Sequence, residues 1–375
     1  MALEREAGAP DATVEPREVK VVLDEEITGF GYGYRMRCAC TAAIELSQEQ
    51  YRRQSVGSPT VCEHCSARKH FGPYDVMLRD TADSALADDH VQQRAWYHTS
   101  THRDWPPAAL SAPSVEDDAE HRSFEPLKPK ALHVGTYEAA IENMLRHMNE
   151  TAEVGVVFYL HRVQVTLRPG DIEAGYRDEI NQIAAQITLE QLENDDLLAL
   201  RYLNVHESWG SLSLAIDPAV IEAVQTLQLP IPALTPPPEG EHLERLRQLD
   251  AVAAAAAAAD SPTALDKLIA KHDARRPVDQ APPPKPRYQP SSDGLDYMAE
   301  TYLTGVGSVV REEFCRGLTE GAKDITDPAD LYRQFVAFSV LLTQPDAVVA
   351  LLQQQPVRQG AGMKLVRERR SIRHR

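Results

Sequence analysis

Residues 198–216 read LALRYLNVHESWGSLSLAI. LALRYLNV and SLSLAI are apolar runs of strand length, and His206-Glu207-Ser208-Trp209-Gly210 breaks them apart. In the second run Leu212, Leu214 and Ile216 alternate with Ser213 and Ala215, the period expected of a half-buried strand. Two strands around a polar break place Glu207 at a strand junction.

Upstream, strands and helices alternate. VGVVFYLHRVQVTL (154–167) is β-branched and aromatic, and Arg168-Pro169-Gly170-Asp171 closes it as a turn. TYEAAIENMLRHM places Ile141, Met144, Leu145 and Met148 on one helical face, with Thr136 as its cap. YRDEINQIAAQI (176–187) carries a similar stripe through Ile180, Ile183, Ala184 and Ile187, so a helix is predicted there too. AWYHTS (95–100) is a short aromatic strand. The block from about 95 to 230 is therefore a mixed α/β domain and the candidate catalytic unit.

Downstream, LPIPALTPPPEGE ends the block, because each proline removes a backbone donor and stiffens the chain. Residues 231–290 read as a Pro/Ala-rich linker holding a helical hairpin broken at Asp260-Ser261-Pro262. Residues 291–375 read as a helical region, with Asp327-Pro328 as a start signal and LYRQFVAFSVLL as a buried stripe. Its last residues, KLVRERRSIRHR, are basic and suit a phosphate backbone or an acidic partner.

The chain of 375 residues carries a net charge of −17, which argues against nonspecific coating of nucleic acid. It contains no apolar run of about 18 residues, so no membrane span is expected. Residues 1–18 read as a disordered leader without the apolar segment of a secretory signal. Five cysteines without an export signal point to a reducing, cytoplasmic setting, where close thiols bind metal more often than they cross-link.

Four of those cysteines form two close pairs, Cys38-Ala39-Cys40 and Cys62-Glu63-His64-Cys65. A structural zinc ion takes four soft ligands in a tetrahedron, so residues 19–80 are expected to form a zinc-ribbon-like module. The C-x-C half is tighter than usual, and His64 or His70 is an alternative ligand. VKVVLDEEI before the cysteines has strand character. Cys315 stands alone in a helical segment and reads as a small core residue.

Three polar residues in the mixed block stand in a suggestive order. His98 lies in the strand Trp96-Tyr97-His98-Thr99-Ser100, His133 precedes a helix in Leu132-His133-Val134-Gly135-Thr136, and Glu207 sits in the late break. That order resembles the ADP-ribosyltransferase fold, in its diphtheria-toxin-like and poly-ADP-ribose-polymerase-like branch, over roughly residues 95–218. Tyr97-His98-Thr99-Ser100 looks like the branch's Y-H-G-T motif, with Thr99 in place of the glycine. Leu132-His133-Val134-Gly135-Thr136 is a second match, though it leaves little chain before Glu207 for the usual split sheet.

The chain is thus expected to be α+β: an N-terminal zinc ribbon, a central mixed α/β domain, for which the resemblance implies a split sheet, and a C-terminal helical region. The resemblance implies NAD as substrate, cleaved at the nicotinamide glycosidic bond, with ADP-ribose passed to a protein, nucleic acid or small-molecule acceptor. His98 would hold the adenosine-side ribose, with Tyr97 and Thr99 beside it. Tyr137 or His133 would stack on the nicotinamide, and Glu207 would bind the nicotinamide ribose and stabilise its cationic transition state. Arg94, Arg162 and Arg201 are candidates for the pyrophosphate. The competing function is a non-catalytic adaptor, whose zinc ribbon and basic tail bind nucleic acid or a protein assembly. Metal-dependent hydrolysis is weaker, since the thirteen histidines include no H-E-x-x-H pair.

Overall fold

In the computed structural model, residues 22–55, 59–69, 75–107, 129–150, 156–179, 184–237, 239–259, 288–321 and 325–360 are described. The leader, His70, the Asp260-Ser261-Pro262 break and the basic tail lie outside them. Two small antiparallel hairpins come first. β1 (Tyr34–Arg37) pairs with β2 (Ala43–Leu46), α1 (Gln48–Ser55) follows, and β3 (Thr60–Val61) pairs with β4 (Arg68–Lys69). Of the strand expected over residues 19–27, residues 19–21 lie outside the described residues, and 22–27 form no strand. Asp24 makes one bridge to Arg94, and side chains fix the segment instead, Glu25 through Arg162 and Glu26 through Arg94.

The mixed block follows in the order α2 (Asp88–Val91), β5 (Trp96–Ser100), β6 (Leu132–Val134), α3 (Tyr137–Glu150), β7 (Phe158–Val165), β8 (Arg177–Asp178), α4 (Leu189–Asn194), β9 (Ala199–Leu203), β10 (Leu212–Ile216) and β11 (Ile221–Leu229). Then come α5 (Gly240–Ala259), α6 (Ser292–Tyr302), α7 (Ser308–Gly321), α8 (Pro328–Thr343), α9 (Pro345–Gln353) and β12 (Arg358–Gln359). The helix predicted over 176–187 does not form. Arg177–Asp178 is a strand running parallel to β9, and Ala184–Gln186 is a single 3-10 turn. Ala184 and Ile187 are buried as their pattern demanded, but from irregular backbone against Leu200 and Tyr202.

The strands form two four-stranded sheets, ordered β6-β10-β9-β8 and β12-β11-β7-β5. They meet where Tyr97 and Gly135 exchange backbone hydrogen bonds of 2.8 and 2.9 Å. A Cβ on residue 135 would sit 2.5 Å from Ser213 Oγ and would force that hydroxyl, which accepts from Asn204, to move. β10 is buried on both faces rather than one: Leu212, Leu214 and Ile216 enter the main core, while Ala215 joins a smaller cluster beneath β9.

The helix α3 packs on β5 and α7, with Ile141, Met144 and Leu145 fully buried. Each contributes roughly 1.5–3 kcal/mol of apolar transfer. Thr136 Oγ1 accepts the Ala139 N–H at 3.1 Å, so the expected cap forms. The main core runs from Leu23 through the sheets to Leu352, joining the hairpins, the mixed block and the last helices. Among the described residues no single helix is long and apolar enough to cross a membrane; α8 and α9 pass such a test only as a pair bent by 85°.

Candidate functional site

A cleft of about 330 Å³ opens where the two sheets meet, walled by β5, β6, α3 and the β9–β10 loop. Its volume is that of a small-molecule site. Tyr97, His98, Thr99, His133 and Glu207 all line it. The two histidines arrive from adjacent strands of different sheets, and the Tyr97–Gly135 bridge fixes their approach.

His98 is clamped from behind. Its ring stacks on Trp105 at 4.3 Å, and the backbone of His133 lies within hydrogen-bonding reach. Burial, then the neighbouring His161 and His133, push its pKa down to about 3. His133 Nδ1 lies 3.1 Å from Tyr202 Oη, while its buried Nε2 has no partner. Burial, followed by Lys130, lowers its pKa to about 4. Both imidazoles are therefore neutral near pH 7, each with one N–H and one lone pair to offer.

Glu207 rides on the loop between β9 and β10. Its Oε1 accepts Asn143 Nδ2 at 3.1 Å and pairs with the Arg146 guanidinium, while Oε2 has no partner among the described residues. The loop itself is held rigidly. Asn204 Nδ2 donates to Ser211 Oγ and Ser213 Oγ, both at 2.8 Å. Ser208 N donates to Glu142 Oε2 at 2.7 Å, and Gly210 accepts from Arg79 N at 2.8 Å.

Other expected residues lie elsewhere. Tyr137 is fully buried outside the cleft, edge-on to Phe30 and Tyr97, with its hydroxyl donated to Leu341 O at 2.9 Å. Of the two candidates for stacking on a nicotinamide ring, only His133 lines the cleft. Arg94, Arg162 and Arg201 are also outside the lining. They pair with Asp83, with Glu25 and with Asp88 respectively. The cleft's cation is Arg146, accompanied by Asn143 and His147 on the same face of α3. That polar face sits opposite the apolar stripe at i, i+3 and i+4, a signal present in the sequence but indistinguishable from a solvated surface.

The four cysteines form a second site. Cys38 and Cys40 sit at the β1–β2 tip, Cys62 and Cys65 at the β3–β4 tip, and their sulfurs lie within 4.8 Å of one another. The Cys38–Cys65 and Cys40–Cys62 separations are 3.6 and 3.8 Å. Four thiolates about 2.3 Å from a central ion are about 3.8 Å apart, whereas a disulfide needs about 2.05 Å. Each pair is followed by a residue in the left-handed region, Thr41 at φ 71° and Ser66 at φ 56°, so both tips fold back sharply. Backbone N–H groups of Cys65 and His64 hold the Cys62 thiol below its usual pKa, while the neighbouring Cys40 and Cys38 thiols push that of Cys65 up. His64 is not part of the group.

No protein-family model, curated protein or solved structure matches the chain.

Proposed function

We propose that the chain is an NAD-dependent ADP-ribosyltransferase whose reaction takes place in the cleft between the two sheets. One observation carries the assignment: Glu207, whose Oε2 has no partner among the described residues, shares that cleft with two neutral histidines. Cleaving a nicotinamide–ribose bond builds positive charge at the ribose carbon. A carboxylate fixed by Asn143 and Arg146 offers its other oxygen to that charge without having to reorganise. His98 and the Nε2 of His133, which has no partner among the described residues, can each exchange a hydrogen bond with a sugar hydroxyl. Arg146, 38 % exposed at its side chain, is placed for a phosphate oxygen as well as for Glu207.

The four cysteines are proposed to hold one structural zinc ion. All four positions are filled by protein, which leaves no open site for substrate. A zinc there supplies cross-linking of the two hairpins, and the chemistry stays with the cleft.

The test is release of nicotinamide from NAD by the purified chain, run beside Glu207→Gln. The wild type is expected to turn over, and the variant to lose about 100-fold or more while keeping its melting temperature. An equally active variant would remove Glu207 from the chemistry, and an inert, well-folded wild type would remove the activity itself.

A further inference from the structure

The cleft holds a second carboxylate that the sequence did not single out. Glu179 follows directly on β8, is 8 % exposed, and lines the same cavity as Glu207. Its Oε2 accepts the Val205 N–H at 2.9 Å, two residues before Glu207, while Oε1 has no partner among the described residues. Each carboxylate is thus tethered through one oxygen, and both residues line the cavity.

Their tethers differ. Glu207 is held by a cation and an amide. Glu179 is held by one backbone N–H in an enclosed setting, and burial, then the negative charge of Glu207, raises its pKa above the ordinary carboxylate value. Arg146 and His206 face it and act in the opposite direction. A carboxylate of raised pKa is the better proton acceptor near neutral pH.

Resting on the proposed NAD chemistry, we infer that Glu179 is the general base that deprotonates the acceptor, a hydroxyl group or water. The C–N bond to nicotinamide breaks, and its electron pair leaves with the ring nitrogen. The acceptor oxygen donates a lone pair to the ribose carbon as the C–O bond forms. The acceptor proton passes to Glu179 Oε1. Glu207 takes no part in that proton transfer. Division of labour between two carboxylates follows from how each is anchored.

Chemical rescue tests this on the full chain. Glu179→Gln and Glu179→Ala are assayed for nicotinamide release, for NAD affinity by titration, and for melting temperature. Both variants are expected to bind NAD within about 3-fold of wild type and to lose about 100-fold in turnover. Azide, a nucleophile with no proton to surrender, is then expected to restore Glu179→Ala and to yield an ADP-ribosyl azide by mass spectrometry. It should leave Glu207→Gln unrescued. Glu179→Gln at wild-type turnover overturns the base while leaving the Glu207 assignment standing. So does a folded Glu179→Ala that azide fails to rescue. A folded wild type without NAD cleavage overturns both.

Discussion

Glu142 shows how much one buried side chain can carry here. It sits on α3, fully enclosed, and accepts the Tyr32 hydroxyl at 2.5 Å and the Ser208 N–H at 2.7 Å. Burial comes first among the effects that raise its pKa to about 8; repulsion from Glu313 and Glu207 adds to it, and the two hydrogen bonds offset only part. A folded-state pKa above the unfolded one means that the native chain holds the extra proton. The resulting stability is complete below about pH 4.5 and is lost as pH rises through about 8. Melting temperature is therefore expected to fall between about pH 5 and pH 8, and to fall less in Glu142→Gln. Glu313, whose pKa burial raises to about 7, titrates in both proteins, so the difference between the two curves isolates Glu142. Parallel curves would show that Glu142 is charged at neutral pH.

Among the elements, the β9–β10 loop is the most constrained. Gly210 has φ +80°, and a Cβ there would lie 2.7 Å from the Met77 carbonyl oxygen, which is backbone and cannot swing away. Gly210→Ala is expected to cost about 1–3 kcal/mol by chemical denaturation and to lower NAD turnover more than stability, since Glu207 lies three residues away. Wild-type turnover in that variant would mean that the loop tolerates displacement. The same loop shows what the sequence made legible. Two apolar runs around a polar break announced its strands, and a carboxylate at a strand junction is conspicuous. α3 was legible because a 3.6-residue period behind a threonine cap fits a helix and fits no strand. β8 was hidden, since a two-residue strand has no period, and the spacing of Ala184 and Ile187 also fits a helical template. Asn143 and Arg146 were hidden for another reason: the polar side of an amphipathic helix looks identical whether it faces water or a cleft. Tyr137 erred in the opposite sense. The resemblance implies that Tyr137 or His133 stacks on the nicotinamide, yet Tyr137, at the first position of α3, is buried in the core and its hydroxyl donates to Leu341 O.

For the whole molecule, the cysteine site and the cleft are connected through aromatic packing. Tyr34, on the strand that leads to Cys38, packs 5.0 Å from Trp209, and Tyr51 on α1 packs 5.1 Å from the same ring. Trp209 is two residues from Glu207. Arg79 adds a second tie, stacking on Tyr32 and donating to Ser208 Oγ at 3.3 Å. The hairpins are short, and two strands of two residues are not stable on their own. The metal would thus supply the cross-link that keeps β1 pressed against the loop. Purified chain is expected to contain about one zinc by elemental analysis, and Cys62→Ser/Cys65→Ser close to none. Stripping the metal is expected to lower the melting temperature by about 5 °C or more and to shift Trp209 fluorescence, read in a Trp96→Phe/Trp105→Phe background. Turnover should fall in step with that shift. Coupling between distant sites is demonstrated only when both respond together. A stripped chain whose hairpins loosen while Trp209 and turnover stay constant would show that the metal holds its own module and nothing beyond it.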